Sequence, residues 1–186
     1  MRENIKEMVR AAHYLYSNGL VSGSAGNISI RLSMGEIAIT PTGIPLSLVT
    51  EENVAIVSMD GNRLLGGDPS SELYLHLGIY KVREDIKSIV HTHSPYATAF
   101  AFSDKRLKGL EGFNGVDFVE EVTYHRPGSL ELARECAEKI KESKILILKN
   151  HGIVCCGSNL QEAIQLAEFI EGSAKTQFLA YILTKI

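Results

Sequence analysis

The sequence predicts an α/β protein in which helices flank one mixed β-sheet. Two long segments, residues 2–17 and 160–183, repeat apolar residues at helical spacing, which is typical of helices that pack one face on a core. Between them lie short segments with strand character, and two pairs of these, 27–31 with 36–40 and 145–148 with 152–156, are only a few residues apart. Connections this short leave no room for a crossover helix, so the sheet is expected to be mixed and not parallel throughout.

Local signals define the remaining elements. We expect strands where apolar and polar residues alternate, or where a short apolar run stands between turns, and helices where apolar residues recur at three- and four-residue spacing. In chain order these elements are strands at 27–31, 36–40 and 54–59, a helix at 70–82, a strand at 88–93, a short helix at 95–102, a Gly-rich loop at 109–115, a strand at 116–122, a helix at 129–140, and strands at 145–148 and 152–156. Asn159 caps the last helix, with Glu162 in the capping-box position.

Size and composition narrow the class of protein. A chain of 186 residues with 45% hydrophobic and 22% charged residues suits one domain, residues 1–186. The net charge of -3 and the pI of 6.1 do not favour nucleic acid or an anionic membrane as a partner. No transmembrane run or signal peptide stands out, and the three cysteines lack a disulfide pattern, so a cytoplasmic protein is expected.

A pair of histidines is the most informative local feature. His91 and His93 end an apolar strand pattern, and residues two apart on a strand point to the same face. Two imidazoles presented side by side can bind one divalent metal ion. Two polar residues at a strand end would look the same, so the pair alone does not decide between these interpretations.

Two further residues complete a candidate metal site. His151 stands where the strand 145–148 breaks into a turn, a position where ligand-binding residues collect. Glu72 lies near the start of the helix 70–82, where the helix dipole favours a carboxylate. Three histidines and one carboxylate form a plausible zinc site with room for an exchangeable ligand. His76, four residues after Glu72, is a competing ligand, although packing beside the site is the favoured interpretation.

Small residues and hydrogen-bond donors recur in three segments that could bind an anion. These are residues 23–27, the turn Pro41-Thr42-Gly43, and the serine pair Ser70-Ser71 at a predicted helix start. Backbone N–H groups in glycine-rich turns and at helix N-termini favour phosphate. Because the serine pair adjoins Glu72, a phosphate bound there would leave a short substrate within reach of the metal.

Together the segments SGSAGNISIR, ITPTGIP, PSSELYLHLGIY, IVHTHSPYA and KNHGIV resemble the class II aldolase/epimerase family in order and spacing. The resemblance covers nearly the whole chain. It implies a three-layer α/β/α sandwich with a mixed, largely antiparallel central sheet. It also implies that zinc, one Zn²⁺ per subunit, is bound by His91, His93, His151 and Glu72. Phosphate binding would involve Asn27, Thr42, Gly43, Ser70 and Ser71.

The resemblance also implies the reaction. Such an enzyme reversibly cleaves a ketose 1-phosphate, of the L-fuculose 1-phosphate type, to dihydroxyacetone phosphate and an aldehyde through a metal-stabilised enediolate, with Glu72 as catalytic base. A homotetramer with active sites at subunit interfaces is expected. Family aldolases use a tyrosine of a neighbouring subunit as proton donor; here the early part of that region has none, and Tyr124 is the candidate.

Other members of the family remain alternatives. Methylthioribulose-1-phosphate dehydratases keep a glutamate at the position of Glu72, whereas 4-epimerases usually carry aspartate there. The fold also occurs as a non-catalytic module in the adducin head domain, which lacks the metal ligands. The complete histidine set therefore favours an enzyme, and the glutamate favours an aldolase.

Overall fold

The computed structural model describes residues 1–33, 35–108 and 119–185. Its helices are α1 (Arg2–Ser17), α2 (Leu73–Val82), α3 (Pro95–Ala101), α4 (Leu130–Lys139) and α5 (Leu160–Leu183). Its strands are β1 (Asn27–Arg31), β2 (Glu36–Ile39), β3 (Ala55–Ser58), β4 (Arg63–Leu65), β5 (Ser88–Thr92), β6 (Val119–Val122), β7 (Ile145–Leu148) and β8 (Gly152–Gly157). Short 3₁₀ helices span Leu46–Leu48 and Ile140–Glu142.

The strands form one sheet in the order β4-β3-β2-β1-β5-β8-β7-β6. Every neighbouring pair in this order is antiparallel except β6 and β7, which are parallel. The predicted mixed, largely antiparallel sheet is therefore confirmed. The short connections 32–35 and 149–151 produce the antiparallel pairs β1–β2 and β7–β8, as the sequence indicates.

Helices cover both faces of the sheet, which makes the α/β/α sandwich. One core packs α1, α3 and α5 against the sheet, and the other packs α2 and α4 against the opposite face. Successive side chains on a strand point to opposite faces of the sheet and so enter different cores. Ile145 and Cys155 belong to the first core, whereas Leu146 and Cys156 belong to the second. All three cysteines are buried and free, as expected.

Two differences from the predicted elements have physical explanations. The strand β4 was missed because its three residues are too few to show a period-two pattern, and all three are exposed. The helix α2 begins at Leu73 and not at residue 70, because the N–H of Ser70 bonds to the carbonyl of Thr40 and ties that segment to the end of β2. The predicted loop 109–115, residues 116–118 of the predicted strand, and Met34 of the first turn lie outside the described residues. Among the described residues no helix has the length and apolar composition that crossing a bilayer requires.

Candidate active site

The antiparallel pairing of β5 with β8 brings the three predicted histidines together. His91 lies within β5, His93 follows its last residue, and His151 precedes the first residue of β8. Because Thr92 pairs with Ile153, the end of β5 meets the start of β8. The ring centroids are 4.8 Å apart for His91 and His93, 4.9 Å for His91 and His151, and 5.1 Å for His93 and His151. We call these three residues the histidine cluster.

The ring nitrogens of the histidine cluster are arranged as metal ligands. One nitrogen from each ring lies within 4.8 Å of the others. His91 Nδ1 donates to the carbonyl of Ile153 at 2.8 Å, which leaves the lone pair of Nε2 free, and His93 Nε2 lies 3.0 Å from that atom. His151 Nδ1 is buried and has no hydrogen-bond partner among the described residues. Such lone pairs need a cation or donor between them, so this donor set fits a bound metal ion.

Burial keeps the histidine cluster uncharged. It lowers the pKa of His91 well below its usual value, and the neighbouring His93 and His151 add to the effect. Burial also lowers the pKa of His93 and brings that of His151 to about 4. Only neutral imidazole binds a metal ion, so near pH 7 no proton competes for these nitrogens.

The backbone around His151 is built for close approach. Asn150 has a φ of +56°, a left-handed conformation that asparagine tolerates better than most residues. A Cβ atom at Gly152 would lie 2.6 Å from the carbonyl oxygen of Thr92 and 3.2 Å from Cε1 of His91. Only glycine therefore lets β8 approach the cluster. Gly152 was not predicted as a site residue, although its place directly after His151 in KNHGIV is the signal that could have found it.

Glu72 precedes α2 and is not within its first turn, which corrects the predicted position. Its side chain is nearly buried, with a relative exposure of 4%, and burial raises the pKa of its carboxyl to about 7 against the opposing hydrogen bond from the backbone of Gly128. The oxygen Oε2 has no hydrogen-bond partner among the described residues. Glu72 lies outside the group of three histidines whose nitrogens meet. A buried carboxyl with a pKa near 7 is suited to accept a proton.

His76, the competing ligand, also lies outside the histidine cluster. It is fully buried, and both ring nitrogens already have partners, Asn27 Oδ1 at 2.5 Å and Ser29 Oγ at 2.6 Å. Its nitrogens are therefore occupied within the protein. The favoured interpretation of His76 as a packing residue beside the site agrees with these contacts.

Backbone hydrogen bonds bring the three predicted anion-binding segments together. Thr40 bonds to Ile28 through its backbone and its hydroxyl, which joins the start of β1 to the end of β2. The carbonyl of Thr40 also accepts from Ser70, and that of Asp68 accepts from Thr42. Asn27 and Ser70 are buried, whereas Thr42, Gly43 and Ser71 are exposed. We call residues 23–27, 41–43 and 70–71 the anion loops.

Tyr124 lies in an exposed loop after β6, with a relative exposure of 58%. Its hydroxyl forms no hydrogen bond with the described part of the chain. The residues on either side of it are held by Glu135 of α4, which accepts hydrogen bonds from Thr123 and His125 at 2.6 Å. The same loop continues to Gly128, the residue that bonds to Glu72. Tyr124 therefore lies in the same loop as a residue that bonds to Glu72, but none of its contacts among the described residues assigns it a role.

Comparison with known proteins agrees with the fold, which is that of the class II aldolases. Residues 6–178 match the family described as Class II Aldolase and Adducin N-terminal domain, and the chain belongs to this family. The sequence is 41% identical over 178 residues to an L-fuculose phosphate aldolase of Methanococcus maripaludis, covering 95% of this chain and 97% of that relative.

Other relatives carry a different name at similar identity. A 3-oxo-tetronate 4-phosphate decarboxylase of Haemophilus influenzae is 37% identical over 179 residues, covering 92% of this chain and 85% of that protein. Among solved structures, the L-fuculose-1-phosphate aldolase from Thermus thermophilus superimposes with a TM-score of 0.85 at 27% identity, covering 98% of this chain and 97% of that one. The chain is thus an enzyme of the class II aldolase family, and its relatives include aldolases and decarboxylases.

Proposed function

We propose that the protein is a zinc-dependent aldolase that reversibly cleaves a ketose 1-phosphate, of the L-fuculose 1-phosphate type, to dihydroxyacetone phosphate and an aldehyde. The observation that carries the proposal is the convergence of three uncharged imidazoles in a chain whose Glu72 carboxyl is buried and lacks a partner for one oxygen. His91, His93 and His151 would hold the zinc, and Glu72 would be the fourth ligand until substrate replaces it. Bound zinc would supply a Lewis acid beside the substrate carbonyl.

The chemistry assigned to the chain is a proton transfer. In the direction of synthesis, Glu72 takes a proton from the carbon of dihydroxyacetone phosphate that lies next to the carbonyl and carries the free hydroxyl. That carbon then bonds to the aldehyde carbon, and the aldehyde oxygen takes up a proton; cleavage is the reverse. With a pKa of about 7, the carboxyl can both accept and return this proton near neutral pH. Tyr124 stays the candidate for the donor to the aldehyde oxygen.

The anion loops would bind the substrate phosphate. Asn27, Thr42, Gly43, Ser70 and Ser71 are uncharged, so hydrogen bonds and not an ion pair would hold the anion. Hydrogen bonds to a charged acceptor are stronger than those between neutral groups. A phosphate held by these loops would place the carbonyl of a short ketose near the histidine cluster.

A product assay tests the proposed function. Zinc-loaded protein is incubated with a panel of ketose 1-phosphates, and the release of dihydroxyacetone phosphate is measured by reduction with a coupled dehydrogenase. We expect release from at least one phosphorylated ketose and much less from its unphosphorylated form. Formation of an epimer or loss of water without carbon–carbon cleavage would instead assign the site to the epimerase or dehydratase reactions of the family.

A second candidate, decarboxylation of a 3-oxo-acid phosphate, is favoured by one observation, the relatives named 3-oxo-tetronate 4-phosphate decarboxylase. Loss of carbon dioxide from such an acid leaves negative charge on the carbon next to a carbonyl, as proton removal does in the aldolase reaction. The same histidine cluster could therefore serve both. Carbon dioxide released from 3-oxo-tetronate 4-phosphate, without aldol cleavage of any ketose 1-phosphate, would select this candidate.

The proposed assembly is a homotetramer whose active sites lie at subunit interfaces. The last turns of α5 expose large apolar side chains that one protomer leaves uncovered: Phe178, Leu179, Tyr181, Ile182 and Leu183. Burial of such a surface favours association. Light scattering should give about four times the protomer mass of 20.4 kDa, whereas a mass near that of one protomer would contradict this part of the proposal.

A further inference from the structure

One face of β1 carries buried polar side chains. Asn27, Ser29 and Arg31 alternate along the strand, and all three are buried. Hydrogen bonds join them to His76 and Tyr80 of α2. Because an unpaired polar group inside a protein costs free energy, these contacts fix how each group is oriented.

Three hydrogen bonds form a continuous network from Tyr80 of α2 to Asn27, the first residue of β1. The Tyr80 hydroxyl lies 2.8 Å from Ser29 Oγ, and Ser29 Oγ lies 2.6 Å from His76 Nδ1. On the other side of the imidazole, His76 Nε2 lies 2.5 Å from Asn27 Oδ1. The four residues that these hydrogen bonds join are each at most 6% exposed, so water does not compete for the bonds.

Tyr80 sets the direction in which the network donates. Ser29 Oγ is the only hydrogen-bond partner of its hydroxyl among the described residues, and a buried hydroxyl proton needs an acceptor. Tyr80 therefore donates to Ser29, and the single proton of Ser29 goes to His76 Nδ1. Burial lowers the pKa of His76 to about 3, so the ring is neutral and its one proton is on Nε2. That proton is donated to the Asn27 oxygen.

From this direction of donation we infer that His76 is a positioning residue for anion recognition. By holding the amide oxygen of Asn27, it turns the two amide N–H donors of that residue toward the substrate phosphate. Without this hold, the amide could rotate and present its oxygen, which repels an anion. The inference rests on the proposed function in one respect, that Asn27 contacts the phosphate. Asn27 pairs in register with His91, so its amide lies beside the histidine cluster.

Two substitutions at His76 separate positioning from packing. His76→Leu removes the donor to Asn27, whereas His76→Gln keeps an N–H that can reach the same oxygen. The probe is inorganic phosphate, titrated into the zinc-loaded protein by calorimetry. We expect His76→Leu to weaken phosphate binding by about tenfold or more and His76→Gln to restore most of it. Zinc content should be unchanged in both. Leu77→Ala, which opens a cavity in the same helix, should lower stability without changing phosphate affinity.

A double-mutant cycle with Asn27 decides whether His76 acts through that residue. Asn27→Ala should weaken phosphate binding, and adding His76→Leu to it should cause no further loss. Fully additive losses, or wild-type phosphate binding by His76→Leu, would overturn the inference while leaving the anion site intact. Absence of phosphate binding by the wild type would instead overturn the anion site itself.

The tautomer of His76 supplies a readout that needs neither phosphate nor activity. Nitrogen-15 NMR of the full-length zinc-loaded protein distinguishes a protonated from an unprotonated ring nitrogen. We expect Nε2 of His76 to carry the proton and Nδ1 to be an acceptor. In Tyr80→Phe, which lacks the hydroxyl that sets the direction, part of the signal should shift to the other tautomer. A proton on Nδ1 in the wild type would contradict the inference.

Discussion

The proposed metal site, the histidine cluster, and the proposed phosphate site, the anion loops, are built in different ways. Strand register builds the cluster: β5 and β8 deliver three rings to one point, and the carbonyl of Ile153 orients one of them. Turns build the anion loops: segments from three parts of the chain are joined by a few backbone bonds around Thr40. A metal site needs fixed nitrogens, whereas a phosphate can be reached by several exchangeable donors. Substitutions in the histidine cluster should therefore have an all-or-none effect on zinc binding, whereas substitutions in the anion loops should have a graded effect on phosphate binding.

The largest expected effect is that of a lost imidazole. His91→Ala or His151→Ala should lower zinc affinity by more than the roughly 10- to 100-fold that removal of a residue supporting a ligand costs, with activity falling to background. Elemental analysis after dialysis measures the zinc retained. His13→Ala is the matched control, since the ring of His13 on α1 bonds, among the described residues, to the carbonyl of Val49 alone and should not affect the metal. Full zinc retention in both cluster variants would contradict the assignment.

The second largest effect is expected for Glu72→Gln. The rate of exchange of the substrate proton should fall about 100- to 10 000-fold, because an amide cannot accept that proton. Exchange is followed by proton NMR of dihydroxyacetone phosphate in heavy water. Most of the zinc should remain, because the three histidines still hold it. Glu51→Gln, on an exposed turn, is the control and should exchange at the wild-type rate. Wild-type exchange in Glu72→Gln would remove this carboxyl from the mechanism.

In the anion loops, Ser71→Ala should show the graded effect. Loss of one donor to a charged acceptor costs about 1.5–3 kcal/mol, roughly a 10- to 100-fold rise in KM for a phosphorylated ketose. Zinc content should not change. Ser33→Ala, in the turn after β1, is the control. If the variant lost zinc as well as phosphate, the two parts of the site would not be separable, and the comparison would fail.

The smallest effect tests the close approach of β8. Gly152→Ala should lower the free energy of unfolding by about 1–3 kcal/mol, since the added Cβ has no room beside Thr92 and His91. Zinc should bind more weakly as well. Gly172→Ala, in α5 with nothing near its added Cβ, should raise stability by about 0.5–1 kcal/mol. Urea denaturation measures the free energy of unfolding of both variants. Equal changes in the two variants would contradict the close approach of β8 to the histidine cluster.

The same difference explains what could be predicted from the sequence. Period-two alternation on a strand predicts that His91 and His93 share a face, whereas His151 was a candidate from its place where a strand breaks into a turn. That His151 meets the pair depends on the pairing of β5 with β8, which only the structure shows. No local rule predicts that Ser70 bonds to Thr40, because that contact joins distant segments, so the start of α2 was placed three residues early. The residue pattern placed Asn27 in a candidate anion-binding segment, and the resemblance assigned it to phosphate binding. Its link to His76 depends on how α2 crosses β1, which only the structure shows.

X-ray absorption at the zinc edge tests the central claim, that the histidine cluster is the metal centre, most directly. The protein is loaded with one equivalent of zinc, and the spectrum is compared with that of Glu72→Gln, which is expected to keep its zinc. We predict three imidazole nitrogens at about 2.0–2.1 Å together with oxygen ligands in the wild type, and the same three imidazoles in the variant. A sulfur ligand at about 2.3 Å, or fewer than three imidazoles in the wild type, would contradict the claim.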